Sequence, residues 1–221
     1  MVRVKICGIT RLEDARRAAD LGADAVGFIF YRKSPRFVEP ERAAAISSEL
    51  PPGVCRVGVF VDTALEDIRR IAEMVPLHAI QFHGPYLPEA VESMAEWKRI
   101  GVLRVRSDIL PEQWQPYRRH IDALLLDTYR RDAYGGTGQP FAWQQAKQLP
   151  ADLRLILAGG LGPDNILQAI HDVRPYAVDV NSGVESAPGI KDANKLHELF
   201  QQLKKVRRDW QRTDRPVFPT A

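Results

Sequence analysis

The chain has 221 residues, 45% of them hydrophobic and 27% charged, and a net charge of +3 from 31 basic against 28 acidic side chains. That length buries a full core, and the composition suits one globular domain better than a disordered or fibrous chain. The basic excess gathers in Lys204-Lys205-Val206-Arg207-Arg208, too small and too local for a nucleic-acid surface, so no nucleic-acid partner is expected. Cys7 and Cys55 stand alone, without C-x-x-C or ordered His spacing, which argues against a metal site and a disulfide framework and for a reducing compartment. The first residues read as a strand without an apolar signal core, and nowhere do about eighteen apolar residues follow one another; a soluble, cytoplasmic protein with no membrane partner is the expectation.

Eight short apolar or β-branched runs follow in chain order: Val2 to Ile6, Ala25 to Phe30, Arg56 to Val61, Ala79 to Phe82, Val102 to Val105, Ala123 to Leu126, Leu155 to Leu157 and Ala177 to Val180. Helical patterns lie between them. Thr10 to Glu13 and Thr63 to Glu66 read as capping boxes just after strands. Ile68, Ile71, Ala72 and Val75, and again Leu196, Leu199, Phe200 and Leu203, fall at helical spacing and form apolar faces. Pro163 in Gly162-Pro163-Asp164-Asn165 stands at an expected first helical position.

Strands that alternate with helices, several of them apolar on both faces, predict a parallel sheet. Asp24-Ala25-Val26, His78-Ala79-Ile80, Asp122-Ala123-Leu124 and Tyr176-Ala177-Val178 open the even-numbered runs as a faint repeat of two βα units each. Eight units and that repeat favour a closed (β/α)8 barrel, over residues 1–208, rather than an open doubly wound sheet, whose usual G-x-G-x-x-G is absent from the first turn. Residues 209–221, with Pro216 and Pro219 and no periodicity, read as an extension outside the barrel, without the pattern of an ordered element.

Barrel chemistry gathers at the carboxyl ends of strands. Those ends carry Cys7, His83-Gly84, Arg106, Asp127, Gly159-Gly160 and Asn181-Ser182-Gly183. Cys7 is a candidate base or nucleophile if a cation or helix end favours its thiolate, with a small buried hydrophobe as the alternative. Asp127 emerges from Leu124-Leu125-Leu126 and is a candidate general acid, or a cap for the following loop. A thiol and a carboxyl facing one mouth suit a proton-shuttling isomerisation, with no cofactor required. The glycines ending strands seven and eight, with Ser182, let backbone N–H groups approach a phosphate, so a small phosphorylated substrate is expected. Arg36 can offer a planar guanidinium to a carboxylate or phosphate. Gly135-Gly136-Thr137-Gly138 lacks the P-loop ending and reads as a lid. Cys55, at the opposite end of a strand, and Trp97, Trp114, Trp143 and Trp210 read as structural.

Val4-Lys5-Ile6-Cys7-Gly8-Ile9-Thr10, Ser34-Pro35-Arg36, Gln81-Phe82-His83-Gly84, Leu126-Asp127, Ala158-Gly159-Gly160-Leu161 and Asp179-Val180-Asn181-Ser182-Gly183-Val184-Glu185 together resemble the phosphoribosylanthranilate isomerase family of tryptophan biosynthesis. The likeness runs in order from Val2 to about Lys205. It implies an Amadori rearrangement of N-(5'-phosphoribosyl)anthranilate, with Asp127 as general acid and Cys7 as general base. It further implies Arg36 at the anthranilate end, His83 and Asp179 as substrate contacts, Gly159, Gly160, Ser182 and Gly183 at the phosphate, and a monomer or homodimer. Arg106 and Pro85 depart from the family pattern. Another phosphosugar barrel, such as an epimerase or aldolase, would want metal-binding carboxylates and histidines or a strand-end lysine; a binding barrel would need no acid and base pair.

Overall fold

A computed structural model describes residues 2–105, 111–127, 143, 145–147, 149–207 and 218. Eight parallel strands close on themselves in sequence order: β1 (Arg3–Ile6), β2 (Ala25–Ile29), β3 (Cys55–Phe60), β4 (Ala79–Phe82), β5 (Lys98–Arg104), β6 (Ala123–Asp127), β7 (Leu155–Ala158) and β8 (Ala177–Val180). Around them lie α1 (Leu12–Leu21), α2 (Pro40–Ser48), α3 (Leu65–Met74), α4 (Pro88–Glu92), α5 (Ile166–Val173) and α6 (Ala193–Arg207). The (β/α)8 barrel expected from the sequence is the observed fold. Closure comes from β1 against β8, where Lys5 lies opposite Asp179 and Ile6 opposite Val180.

Period-two alternation sorts each strand into two faces. Val4, Ile6, Val26, Phe28, Ile80, Phe82, Leu124, Leu126, Val178 and Val180 point outward and pack with Ile68, Ile170, Leu196, Leu199 and Phe200 of the helices. The inward face holds a second cluster that includes Cys55, Val57, Ile100, Leu125 and Ile156. The repeated alanines Ala25, Ala79, Ala123 and Ala177 all belong to it and are fully buried. One residue from each even strand is how such barrels stack a layer of four. The Phe218 ring joins this cluster, 6.2 Å from the ring of Tyr176; the rest of 209–221 lies outside the described residues.

Three expectations about boundaries need correction. Neither capping box forms: α1 and α3 begin after Arg11 and Ala64, without a side-chain cap. Thr10 Oγ1 instead donates to the Gly189 carbonyl at 2.6 Å, and Thr63 Oγ1 to the Val61 carbonyl at 3.2 Å. Pro163 opens a turn before α5, whose first residue is Ile166. Strand β5 starts at Lys98, four residues before the apolar run. Its polar front is held by Asp122, which accepts from Lys98 Nζ at 3.2 Å and the Arg99 N–H at 3.0 Å. Hydropathy hides such a strand start, since its residues are paired rather than apolar.

A short hairpin, β9 (Glu185–Ala187) with β10 (Ile190–Lys191), follows β8 and was not expected. Among the described residues no helix is long and apolar enough to cross a membrane.

Candidate active site

Cys7 directly follows β1, its N–H donating to the Val180 carbonyl at 2.9 Å, and its side chain is 4% exposed. Lys5, two residues earlier and on the same inward face, is fully buried. Its Nζ lies 2.9 and 3.0 Å from the two carboxylate oxygens of Asp179 on β8. Gly27 on β2 locates thiol and ammonium together: a Cβ on that residue would meet Cys7 Sγ at 2.8 Å and Lys5 Nζ at 3.0 Å. Only a residue without a side chain leaves room for both.

A second buried ion cluster sits on the other side of Cys7. Glu185 accepts from Arg36 Nε at 3.0 Å and Nη2 at 2.7 Å, and from Lys191 Nζ at 2.9 Å. Lys191 Nζ also donates to Asn181 Oδ1 at 3.0 Å. The turn at Gly8 packs against this cluster, since a Cβ there would meet Asn181 Oδ1 and Arg36 Cδ. Arg36 keeps 21% of its side chain exposed, whereas Glu185 and Lys191 are covered. Three basic side chains, Lys5, Lys191 and Arg36, thus gather around Asp179 and Glu185 beside Cys7, a setting suited to an anionic ligand.

These surroundings set the titration of each group. Burial pushes the Cys7 thiol up, the Asp179 carboxylate adds to that, and Lys5 and Lys191 pull the other way. Burial alone would push the Lys5 ammonium down, but Asp179, helped by Cys7, holds it above the usual lysine range. Lys191 falls below that range because burial outweighs Glu185. Glu185 stays low against burial because Arg36 and Lys191 bond it. Cys55, 0% exposed inside the barrel, is pushed up to about 12 by burial, in keeping with a structural thiol.

Across the mouth, Asp127 ends β6, paired in register with Arg104 of β5 and separated from β1 by β7 and β8. It is half-buried. His83 follows β4, and its pKa is lowered to about 4 by burial and by the charges of Arg104 and Lys5. Its Nε2 is buried without a hydrogen-bond partner, as is Oε1 of Gln81, two residues earlier. Gln81 lies on β4, between β3 and β5, and His83 directly follows it.

The turns after β7 and β8 are packed back to back. A Cβ on Gly183 would overlap the Leu161 carbonyl and meet Gly162 Cα at 3.0 Å, so glycine is required there. Asn165 braces the first of these turns, accepting from the Gly162 N–H and donating to the Gly160 carbonyl, both at 2.9 Å. Gly159 and Gly160 have φ of 94° and 65°, and Gly160 and Ser182 are exposed.

The structure thus brings Cys7, Arg36, Asp179 and the strand-eight turn to one side of the mouth. Asp127 and His83 stand elsewhere on its rim. Arg106 and the Gly135 to Gly138 segment lie outside the described residues. Sequence reasoning missed Lys5, Glu185, Lys191 and Arg104 as site residues. Lys5 had a signal: a lysine on the same period-two face as Cys7, one step before it in the first strand. Lys191 had none, because the hairpin that folds it back is not visible in the local pattern.

Comparison with known proteins agrees with this geometry. Residues 4–202 match the family model described as N-(5'phosphoribosyl)anthranilate (PRA) isomerase. A protein of Pseudomonas putida named N-(5'-phosphoribosyl)anthranilate isomerase is 50% identical over 209 residues, covering 93% of this chain and 98% of its own. One of the same name from Trichlorobacter lovleyi is 46% identical over 207 residues, covering 93% of this chain and all of its own. Among solved structures, the phosphoribosyl anthranilate isomerase of Thermotoga maritima superposes with a TM-score of 0.86 at 46% identity, covering 93% and 100% of the two chains. A further one, solved with reduced 1-(o-carboxyphenylamino)-1-deoxyribulose 5-phosphate, superposes at 0.79 with 42% identity and the same coverage. A match over nearly the whole barrel, with the thiol, carboxyl and glycine turns at its strand ends, is decisive: this chain belongs to the N-(5'-phosphoribosyl)anthranilate isomerase family.

Proposed function

We propose that the chain isomerises N-(5'-phosphoribosyl)anthranilate to 1-(2-carboxyphenylamino)-1-deoxyribulose 5-phosphate, a step of tryptophan biosynthesis, with Asp127 as general acid and Cys7 as general base. The observation that carries this reading is the placement of a carboxyl and a buried thiol on the rim of one barrel mouth, with basic groups beside the thiol. Asp127 gives its proton to the ribose ring oxygen as the C–O bond breaks, and the nitrogen lone pair forms the Schiff base. The Cys7 thiolate then takes the proton from the adjacent sugar carbon, and the C–H electrons neutralise the iminium as the enolamine. Tautomerisation to the ketone moves a proton to the first sugar carbon and completes an isomerisation without net redox change.

Several features support the rest of the assignment. Arg36, partly exposed and braced by Glu185, can offer its guanidinium to the anthranilate carboxylate. The exposed backbone of Gly160 and Ser182, with Gly159 and Gly183 behind it, suits a phosphate. Neutral His83 offers a buried ring nitrogen to a substrate hydroxyl. Asp179 acts here chiefly through Lys5, on which both its oxygens are engaged. The solved relative whose ligand is a reduced carboxyphenylamino deoxyribulose phosphate supports a ligand of the same class.

Burial keeps Cys7 mostly a thiol in the free site, so the reacting form is the fraction that holds the thiolate while Asp127 keeps its proton, and one limb of the kcat/KM profile follows the Cys7 titration. The purified chain is expected to extinguish the fluorescence of N-(5'-phosphoribosyl)anthranilate catalytically. Saturable binding of this phosphosugar with no turnover would contradict the proposal and leave a binding barrel.

A further inference from the structure

The mechanism needs a thiolate in a place where burial opposes one, and the structure puts the fully buried ammonium of Lys5 beside it. Lys5 and Cys7 alternate on one face of the first strand, and both reach the same point above Gly27, within 3.0 Å of it. The ammonium is held from behind by both oxygens of Asp179, at 2.9 and 3.0 Å. A buried lysine with one counter-ion and free donors is poised to bond a second anion, since its three N–H donors exceed what the carboxylate alone requires. Gly27 leaves the gap between them open.

We propose that Lys5 is a positioning residue for the reaction base: its ammonium, shared between the Asp179 carboxylate and the Cys7 sulfur, holds the thiolate in place and governs how much of it forms. This deepens the role proposed for Cys7 and rests on it. The two neighbours act in opposite senses. Lys5 attracts the thiolate, whereas Asp179 repels it and at the same time occupies part of the ammonium. The other groups around the thiol are Lys191 on β10, Glu185 on β9, which largely neutralises it, and Arg36 from the loop after β2. None of these bonds Asp179, so changing the Lys5–Asp179 pair leaves that second cluster intact.

The test is a pH titration of thiolate ultraviolet absorbance in the full chain, with Cys7→Ser as the blank to remove Cys55 and the tyrosines. Lys5→Met is expected to leave about tenfold less thiolate at a given pH, and Asp179→Asn about tenfold more, the size of one pKa unit each way. The limb of kcat/KM that follows Cys7 is expected to move with the thiol in each variant. A change that merely loosened packing would not move the two variants in opposite directions. Shifts in the same direction, no shift, or a thiol that moves without any limb of kcat/KM would overturn the proposal. If Lys5→Met does not fold because Asp179 is left buried and unpaired, the Asp179→Asn titration decides: a shift to lower pH supports the proposal, and an unchanged or higher one overturns it. An active Cys7→Ala variant would instead refute the role of Cys7 as base, a result separable from the titration.

Discussion

Single side chains in this barrel mouth are defined by what lies two residues away along a strand. Cys7 is legible in the sequence as a strand-end thiol, but its environment is not, because Asp179 reaches Lys5 from the opposite end of the chain, across the β1–β8 seam. Asp127 was legible because it closes the apolar run Leu124-Leu125-Leu126 at a strand's carboxyl end. His83 carries a consequence for stability. Its pKa in the folded protein is lowered to about 4, below the ordinary 6.5, so the unfolded chain binds more protons between those values. Stability should therefore rise with pH across that window, by up to about 1.4 kcal/mol per pH unit from this residue, and become independent of it above the upper value. Denaturant unfolding of wild type and His83→Gln at pH 4.5 and 7 checks this: the variant should show the shallower pH dependence, and parallel curves would contradict the account.

At the scale of elements, the repeat that looked faint in the sequence has a double physical meaning. Ala25, Ala79, Ala123 and Ala177 form one inward layer. The residues just before them tie each even strand to the odd strand preceding it: Asp24 accepts from the Val4 N–H at 2.8 Å, His78 from Arg56 at 3.1 Å and Asp122 from Arg99 at 3.0 Å. At the fourth repeat the Tyr176 carbonyl takes an N–H from Arg3, across the closing seam. Strand order was readable because apolar runs and these repeats are local. The early start of β5, the missing side-chain caps and the β9–β10 hairpin were not, because partners distant in sequence decide them. The turns after β7 and β8 show the same dependence. Gly183→Ala would drive a methyl into the Leu161 carbonyl, and a loss of about 1–3 kcal/mol of stability is expected, of the order seen for overpacking. A raised KM for the phosphorylated substrate should accompany it. Wild-type KM in a folded Gly183→Ala variant would remove the phosphate from this pair of turns.

For the whole molecule, Phe218 contributes its fully buried ring to the inward cluster that holds the alanine layer. The family match ends at residue 202, so this contact comes from chain beyond the matched barrel. We propose that Phe218, seated in this cluster, adds to barrel stability. Phe218→Ala is expected to lower stability by about 1.5–3 kcal/mol, the value of burying one phenylalanine ring. That corresponds to a fall in Tm of several degrees at this chain length, measurable by calorimetry; an unchanged Tm would contradict this role of Phe218. Turnover at low temperature should be little affected, because the ring packs among the inward alanines and not at the strand ends that carry Cys7 and Asp127.

The acid and base assignment joins all three scales, since residues at the ends of β1 and β6 share one mouth only if the barrel closes as described. Steady-state turnover of N-(5'-phosphoribosyl)anthranilate by wild type, Cys7→Ala and Asp127→Asn, with folding confirmed for each, tests it most directly. The account predicts that each substitution lowers kcat by about 10²–10⁴, the usual contribution of a general acid or base; wild-type turnover in either variant would contradict it.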